Sequence, residues 1–279
     1  MHNVKVGICQ FKVEIDKQKG LTRIAKLISD LVNAGAQIVV LPEMFNCPYE
    51  QDLFSQYAEV EGQGETLQLL SDLAAKLQCY IVAGSIPEQD QDQIYNTAFV
   101  FNKAGSIIAK HRKVHLFDIN IPGQIRFQES AVLTAGDQVT TFTTEYGRFG
   151  VVICYDLRFP EIFRLMVDQG VAGVFIPAAF NMTTGPAHWD TLLRARAIDN
   201  QLFVVAVSPA RDNTAKYVAY GHSMVVSPWG EVIWEAGAEE ASHVVVLENE
   251  QLKEARERLP VLRHRRHDLY NLSLVNKGS

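Results

Sequence analysis

The sequence predicts an α/β chain: two mixed sheets packed face to face, with helices on the outside. Three observations point there. Short runs of β-branched residues, apolar on both faces, alternate with stretches of helical spacing. Alternating segments joined by Asn102-Lys103-Ala104-Gly105 and by Glu145-Tyr146-Gly147-Arg148 mark hairpins, so the sheets are not wholly parallel. Finally, one unit occurs twice. Val6-Gly7-Ile8-Cys9 leads through a helical stretch to Ile38-Val39-Val40-Leu41-Pro42, and Val151-Val152-Ile153-Cys154 leads likewise to Val174-Phe175-Ile176-Pro177. Both copies end in Pro-x-x-Phe, at Pro42 and at Pro177. No linker or change of composition separates them, so 1–279 is expected to form a single domain with an approximate internal twofold relation.

The elements follow in order. Residues 4–11 have the pattern of a strand. Residues 17–34 carry Leu21, Ile24, Leu27, Ile28 and Leu31 at helical spacing and close on Gly35. A second buried strand, 37–41, runs into Pro42-Glu43-Met44-Phe45; helices are expected at 52–58 and 65–77, and a strand at 79–86. Residues 95–101 and 107–113 form the first hairpin, and 139–144 with 149 onward the second. Between them 116–131 has no clear period and is expected as a loop. After Cys154, Pro160-Glu161 opens a helix ending at Gly170. Residues 173–176 and 202–207 are strands flanking a helix at 188–200. Residues 220–226 pair with 231–234 around Pro228-Trp229-Gly230, 243–247 is a last strand and 251–259 a last helix. The basic tail, about 260–279 with Arg263, Arg265 and Arg266, is expected to reach over a neighbouring surface.

Composition narrows the function. The chain is 47% hydrophobic and 21% charged with a net charge of -6, a balance that disfavours nucleic acid and anionic membranes as partners. No apolar run approaches the roughly 20 residues that span a bilayer. The N-terminus enters a strand pattern without a signal-peptide layout. Cys9, Cys47, Cys79 and Cys154 lie far apart without CxxC spacing, so reduced thiols in the cytoplasm are expected. His111 and His115 stand four apart on a strand-and-loop stretch, and His264 and His267 lie in a basic tail, so no metal site is expected. There is no GxGxxG, Walker loop or GxSxG elbow, which removes a flavodoxin-like nucleotide-binding reading.

Chemistry concentrates around Gly150-Val151-Val152-Ile153-Cys154-Tyr155-Asp156-Leu157-Arg158-Phe159-Pro160-Glu161. Cys154 is expected where a buried strand gives way to a helix, whose N-terminal partial charge would lower the thiol's pKa. Glu43 and Lys113 also stand at the ends of apolar strands, where ligands gather in α/β sheets. A thiol needs a base, and a secluded carboxylate can serve. A tetrahedral oxyanion needs donors, which the Lys113 ammonium and the Tyr155 N–H can supply. Arg158, four residues past Cys154, can grip a carboxylate bidentately. Read singly, each has a plainer alternative. Cys154 can pack as a small hydrophobe, Glu43 can cap, and Lys113 can belong to a solvated Lys110-His111-Arg112-Lys113 run. Arg158 can pair with Asp156 or Glu161, and Thr184 can serve turn chemistry beside Gly185-Pro186. Trp189, Arg194, Arg196 and Asp199 fit a structural helix behind the site.

Taken together, Leu41-Pro42-Glu43, Lys110-x-x-Lys113-x-His115-Leu116-Phe117 and Ile153-Cys154-Tyr155-Asp156-x-Arg158-Phe159-Pro160-Glu161 resemble the three signatures of the nitrilase superfamily of carbon–nitrogen hydrolases. The likeness runs in order from Val6 to about Tyr270. It implies a four-layer αββα sandwich, dimerisation through the helices beside the nucleophile strand, and a Glu-Lys-Cys triad without metal or organic cofactor. Carried onto this chain, Glu43 is the general base, Lys113 the oxyanion stabiliser and Cys154 the nucleophile. Glu129, in Arg126-Phe127-Gln128-Glu129-Ser130, would orient the lysine and the substrate. Within the superfamily the chain resembles the ω-amidase branch, through Pro42 to Tyr49, Phe117-Asp118-Ile119, Ala179 to Trp189, Ser208-Pro209-Ala210-Arg211 and Gly221-His222-Ser223. That branch implies hydrolysis of the terminal amide of α-ketoglutaramate or α-ketosuccinamate. Arg158 and Thr184 would hold the distal carboxylate, with Tyr49 and Phe180 lining the pocket. The rivals are a deaminated-glutathione amidase, an N-carbamoyl hydrolase, a nitrilase, and a non-catalytic scaffold that keeps the fold.

Overall fold

The computed structural model describes residues 1–123 and 125–275. Gln124, in the stretch expected as a loop, and residues 276–279 of the expected tail lie outside the described residues. In chain order the elements are β1 (Val4–Gln10), α1 (Lys17–Asn33), β2 (Ile38–Val40), α2 (Gln51–Tyr57), α3 (Glu65–Leu77), β3 (Tyr80–Val82), β4 (Ile86–Asp90), β5 (Gln93–Phe101) and β6 (Ile107–Arg112). There follow β7 (Asp118–Ile121), β8 (Ile125–Gln128), β9 (Thr140–Thr144), β10 (Gly147–Val151), α4 (Pro160–Asp168), β11 (Gly173–Pro177), α5 (Gly185–Asn200) and β12 (Phe203–Val207). The chain ends with β13 (Met224–Val226), β14 (Val232–Glu235), β15 (Ala241–Leu247) and α6 (Asn249–Arg258).

Two sheets carry the fold. The first runs β15-β1-β2-β3-β5-β4, with β6 added on β5; the second runs β14-β13-β12-β11-β10-β9. From β15 the first sheet pairs antiparallel, parallel, parallel, antiparallel, antiparallel. From β9 the second sheet repeats that order. The expected internal twofold relation is therefore present in the pairing itself.

The β2 strand shows why the sequence builds layers. Ile38 and Val40 face the other sheet, in a core with Phe149, Val151, Val174 and Phe175. Val39 and Leu41 face Ile24, Ile28 and Leu31 of α1 and Leu70 and Ala74 of α3. A strand covered on both faces must be apolar at every position, because each such side chain contributes about 1.5–3 kcal/mol on burial.

Three expectations need correction. The stretch 79–86 is not one strand: β3 and β4 are separated at Gly84, whose φ is +43°. A Cβ there would sit 2.0 Å from the Pro42 carbonyl oxygen, so only glycine lets the chain fold beneath the Glu43 loop. Next to it Ser85 accepts the Met44 N–H at 3.0 Å and donates its own N–H to Pro42 O at 3.2 Å. The stretch 116–131 is not a plain loop but contains the antiparallel pair β7 and β8; strands of four residues are too short to show a period. Finally, α5 starts at Gly185, with Pro186 in its first turn, ahead of the expected 188. In the tail, Arg265 pairs with Asp168 at the end of α4.

Candidate active site

The loop after β2, the end of β6 and the turn after β8 converge on one buried ammonium. Lys113 Nζ lies 3.0 Å from Glu43 Oε1 and 2.9 Å from Glu129 Oε1, and all three side chains are wholly buried. Burial alone would push the lysine down, but the charges of Glu129, Glu43 and Cys154 outweigh it and hold the ammonium above its ordinary range. Glu129 is fixed from outside as well: Phe117 N–H donates to Oε2 at 2.6 Å and the Tyr49 hydroxyl to Oε1 at 2.6 Å.

Glu43 Oε1 also accepts Asn96 Nδ2 at 2.8 Å and the Tyr49 hydroxyl at 3.3 Å. Its Oε2 is buried and makes no hydrogen bond. Burial raises the Glu43 pKa and Glu129 adds to the rise, against the pull of Lys113. A carboxyl poised this way can take and return a proton.

Cys154 occupies a left-handed backbone conformation, φ +46°, rare for a residue with a side chain and concentrated at functional sites. It opens a short 3₁₀ turn, Cys154–Arg158, and α4 begins only at Pro160. The expectation of a thiol acidified by a helix N-terminus is therefore corrected. Burial and then the Glu43 charge raise the thiol's pKa well above its ordinary value, while Lys113 and the Ala179 N–H oppose them. The resting sulfur is a thiol that needs a base.

Asp156 ties this turn to the Lys113 strand. It accepts His111 Nε2 at 3.0 Å, His115 Nδ1 at 2.7 Å, His115 N–H at 2.9 Å and Ile153 N–H at 3.1 Å. Burial would raise its pKa, but the bonds from His111 and His115 prevail and hold it well below the carboxylate range. Both histidines are thus committed to a carboxylate. Among the described residues no group of three or more His, Cys, Asp or Glu is arranged to hold a metal ion.

The residues expected at the substrate divide. Tyr49 touches both carboxylates and lines a cavity of about 310 Å³, with Glu43, Ala179, Lys216 and Tyr217. Arg158, Phe180 and Thr184 do not line it. Arg158 makes no ion pair among the described residues, so neither Asp156 nor Glu161 is its partner. Instead it meets His188 Nδ1 at 3.2 Å and lies over the rings of Phe180 at 4.9 Å and Tyr155 at 5.6 Å. The Tyr155 ring packs on Phe117 at 5.2 Å. Thr184 is buried and donates its hydroxyl to Asn181 Oδ1 at 3.1 Å.

The profile of the carbon–nitrogen hydrolase family matches residues 5–257. The chain belongs to that family. Among similar carbon–nitrogen hydrolases, the omega-amidase NIT2 of Xenopus tropicalis is 50% identical over 98% of this chain and 98% of its own. The omega-amidase NIT2 of Homo sapiens is 46% identical over 98% and 99%. The crystal structure of Saccharomyces cerevisiae Nit3, a member of branch 10 of the nitrilase superfamily, superposes with a TM-score of 0.89 at 42% identity, covering 95% of this chain and 97% of that one.

As a carbon–nitrogen hydrolase the chain holds parts of the site that sequence reasoning missed. Asn96 supports Glu43; an amide two residues ahead of the apolar Ala98-Phe99-Val100-Phe101 run of β5 was the available signal. Tyr217, in the stretch between β12 and β13, donates its hydroxyl to Ala179 O at 2.6 Å and packs its ring, tilted by 35°, on Tyr49 at 4.6 Å. No periodicity or spacing marked it. Arg196, expected as structural, donates to the carbonyls of Leu157 at 2.9 Å and Arg158 at 3.0 Å.

Proposed function

We propose that the chain is an ω-amidase, hydrolysing the terminal amide of small 2-oxo dicarboxylic acid monoamides such as α-ketoglutaramate and α-ketosuccinamate to the 2-oxo diacid and ammonia. The observation that carries the chemistry is Lys113 Nζ bound to both Glu43 and Glu129, with the second Glu43 oxygen buried and unbonded. The full-length likeness to omega-amidases supports the substrate class.

In this reading Glu43 takes the Cys154 proton as the sulfur bonds to the amide carbon. Lys113 and the Tyr155 N–H stabilise the oxyanion. Glu43 then protonates the leaving nitrogen, the C–N bond breaks, and ammonia departs from a thioester. Water gives its proton to Glu43 and attacks the thioester, freeing the diacid and the thiol. A covalent intermediate splits one difficult step into two easier ones. Glu129 orients Lys113 and Tyr49 lines the cavity; Arg158, Thr184 and Phe180, which lie outside that cavity, are assigned to the distal carboxylate on the family likeness alone. The residues of the chain perform every step without a cofactor or metal. The reading extends to a single domain over 1–279 and to a homodimer formed through the helices beside β10. It also places the protein in the cytoplasm, where its four free, buried cysteines would stay reduced. Among the described residues no helix is long and apolar enough to cross a membrane.

Two variants test it. Cys154→Ala is expected to abolish ammonia release from α-ketoglutaramate with little change in melting temperature, and retained turnover would refute the nucleophile. Arg158→Ala is expected to raise KM about tenfold or more for an amide with a distal carboxylate and to spare a neutral amide of the same length. Equal loss on both substrates would remove Arg158 as the anchor. A panel adding deaminated glutathione, a carbamoyl-amine and a simple nitrile separates the rival branches.

A further inference from the structure

Two consecutive pairs wall one side of the cavity of about 310 Å³ that Glu43 and Tyr49 line. The Tyr49 ring packs on that of Tyr217 at 4.6 Å, and the next residue, Glu50, pairs through Oε2 with Lys216 Nζ at 2.6 Å. Residues 49–50, at the head of α2, thus meet residues 216–217, from the stretch between β12 and β13. The Tyr49 hydroxyl also donates to Glu129 Oε1 at 2.6 Å, so the wall runs from the buried carboxylates to Lys216.

Charge sets Lys216 apart. Glu43, Glu50 and Asp212 line the cavity as carboxylates, and among the described lining residues Lys216 is the one cation. Glu43 is matched by Lys113 at 3.0 Å. Asp212 Oδ1 accepts Thr214 N–H at 3.0 Å and the Thr214 hydroxyl at 2.7 Å, closing its own turn. Glu50 stands at the head of α2 yet makes no side-chain cap there; its carboxylate goes to Lys216. The lysine side chain is 79% exposed and the glutamate side chain 23%, and an ion pair so open to water is weak. An entering carboxylate can therefore take the ammonium from Glu50, exchanging one acceptor for another on a flexible stem. Without such a cation an anionic substrate would enter a cavity lined by carboxylates that repel it. Arg158 does not line this cavity and lies over the rings of Phe180 and Tyr155.

We propose that Lys216 is a specificity-determining residue: its ammonium leaves Glu50 to receive the carboxylate of the 2-oxo acid monoamide, and Glu50 competes with the substrate for it. The inference rests on the ω-amidase reading, in which the substrate is an anion.

The test compares ammonia release from α-ketoglutaramate and from a neutral amide of the same length. Lys216→Met keeps the stem and removes the charge. KM for α-ketoglutaramate is expected to rise about fivefold with the turnover number within about twofold, and the neutral amide to be unaffected. Lys216→Arg, which keeps the charge, should restore most of the affinity. Glu50→Gln frees the ammonium, so KM for α-ketoglutaramate should fall about threefold. That gain should vanish when Lys216→Met is added, whereas the mere loss of a negative charge would lower KM in both backgrounds. An unchanged KM in Lys216→Met, an equal rise for both amides, or a Glu50→Gln gain that survives in the double variant overturns the proposal. If Arg158→Ala alone raises KM for the anion, the carboxylate goes to Arg158, and the role of Lys216 fails with the ω-amidase reading intact. If the unsubstituted protein releases no ammonia from α-ketoglutaramate, that reading itself fails and the inference falls with it.

Discussion

Replacing Lys113 with methionine is expected to reduce turnover by roughly a hundredfold or more and to destabilise the fold by about 3–5 kcal/mol. Methionine fills most of the lysine's volume, so the loss comes from the missing ammonium. Two buried carboxylates, Glu43 and Glu129, would then face one another without a counter-ion, and like charges in one site force one carboxyl to keep its proton. That raised pKa fixes the sign of a pH effect. A carboxyl whose folded pKa lies above its unfolded value binds more protons folded, so the variant gains stability as pH falls from 8 toward 5. Activity does not return with it, because the ammonium proposed as oxyanion donor is still absent. Urea unfolding at several pH values alongside ammonia release checks both statements. A variant with flat stability over that range, or with near-normal turnover, would contradict the placement of Lys113 at the electrostatic centre.

Which parts of the site could be read in advance follows from their physics. Glu43 and Cys154 stand out because each comes within three residues of the end of an apolar strand, whereas Lys113 follows a strand that ends in Lys110-His111-Arg112 and is conspicuous only as part of the family signature. The repeated Pro-x-x-Phe unit points to an internal twofold relation, which the matching pairing order of the two sheets displays. Glu129 came only through family likeness, since its hairpin is too short to carry a period. Other features depend on contacts between remote segments and leave no local trace. Gly84 matters because Pro42 passes 2.0 Å from where its Cβ would be, and Tyr217 because it meets Ala179, 38 positions away. The thiol's pKa also depends on contacts that leave no local trace. Location after a strand suggested a helix dipole, but the five-residue turn gives little dipole, and burial beside Glu43 decides the outcome.

Asp156→Asn is expected to cost about 3–5 kcal/mol of stability and to lower turnover without altering any group that touches substrate. The carboxylate receives four donors, two on each oxygen: Ile153 N–H and His111 Nε2 at Oδ2, His115 N–H and Nδ1 at Oδ1. An amide offers one oxygen, so its NH₂ must face two of those donors inside a wholly buried site. Because Asp156 clamps residues 111–115 to the Cys154 turn, loosening it lets Lys113 and the sulfur drift apart, and an ångström of drift is costly in a site built on positioning. The sign with pH is opposite to that of the lysine variant. The folded pKa of Asp156 is depressed, so its contribution is fully present above the ordinary aspartate value of about 3.9 and is lost as pH falls through the folded value. The stability gap between the native chain and Asp156→Asn should hence be constant from pH 5 to 8 and narrow below about pH 4. A gap that widens in acid, or a turnover unchanged while stability falls, would mean that Asp156 braces the fold but not the distance between the ammonium and the thiol.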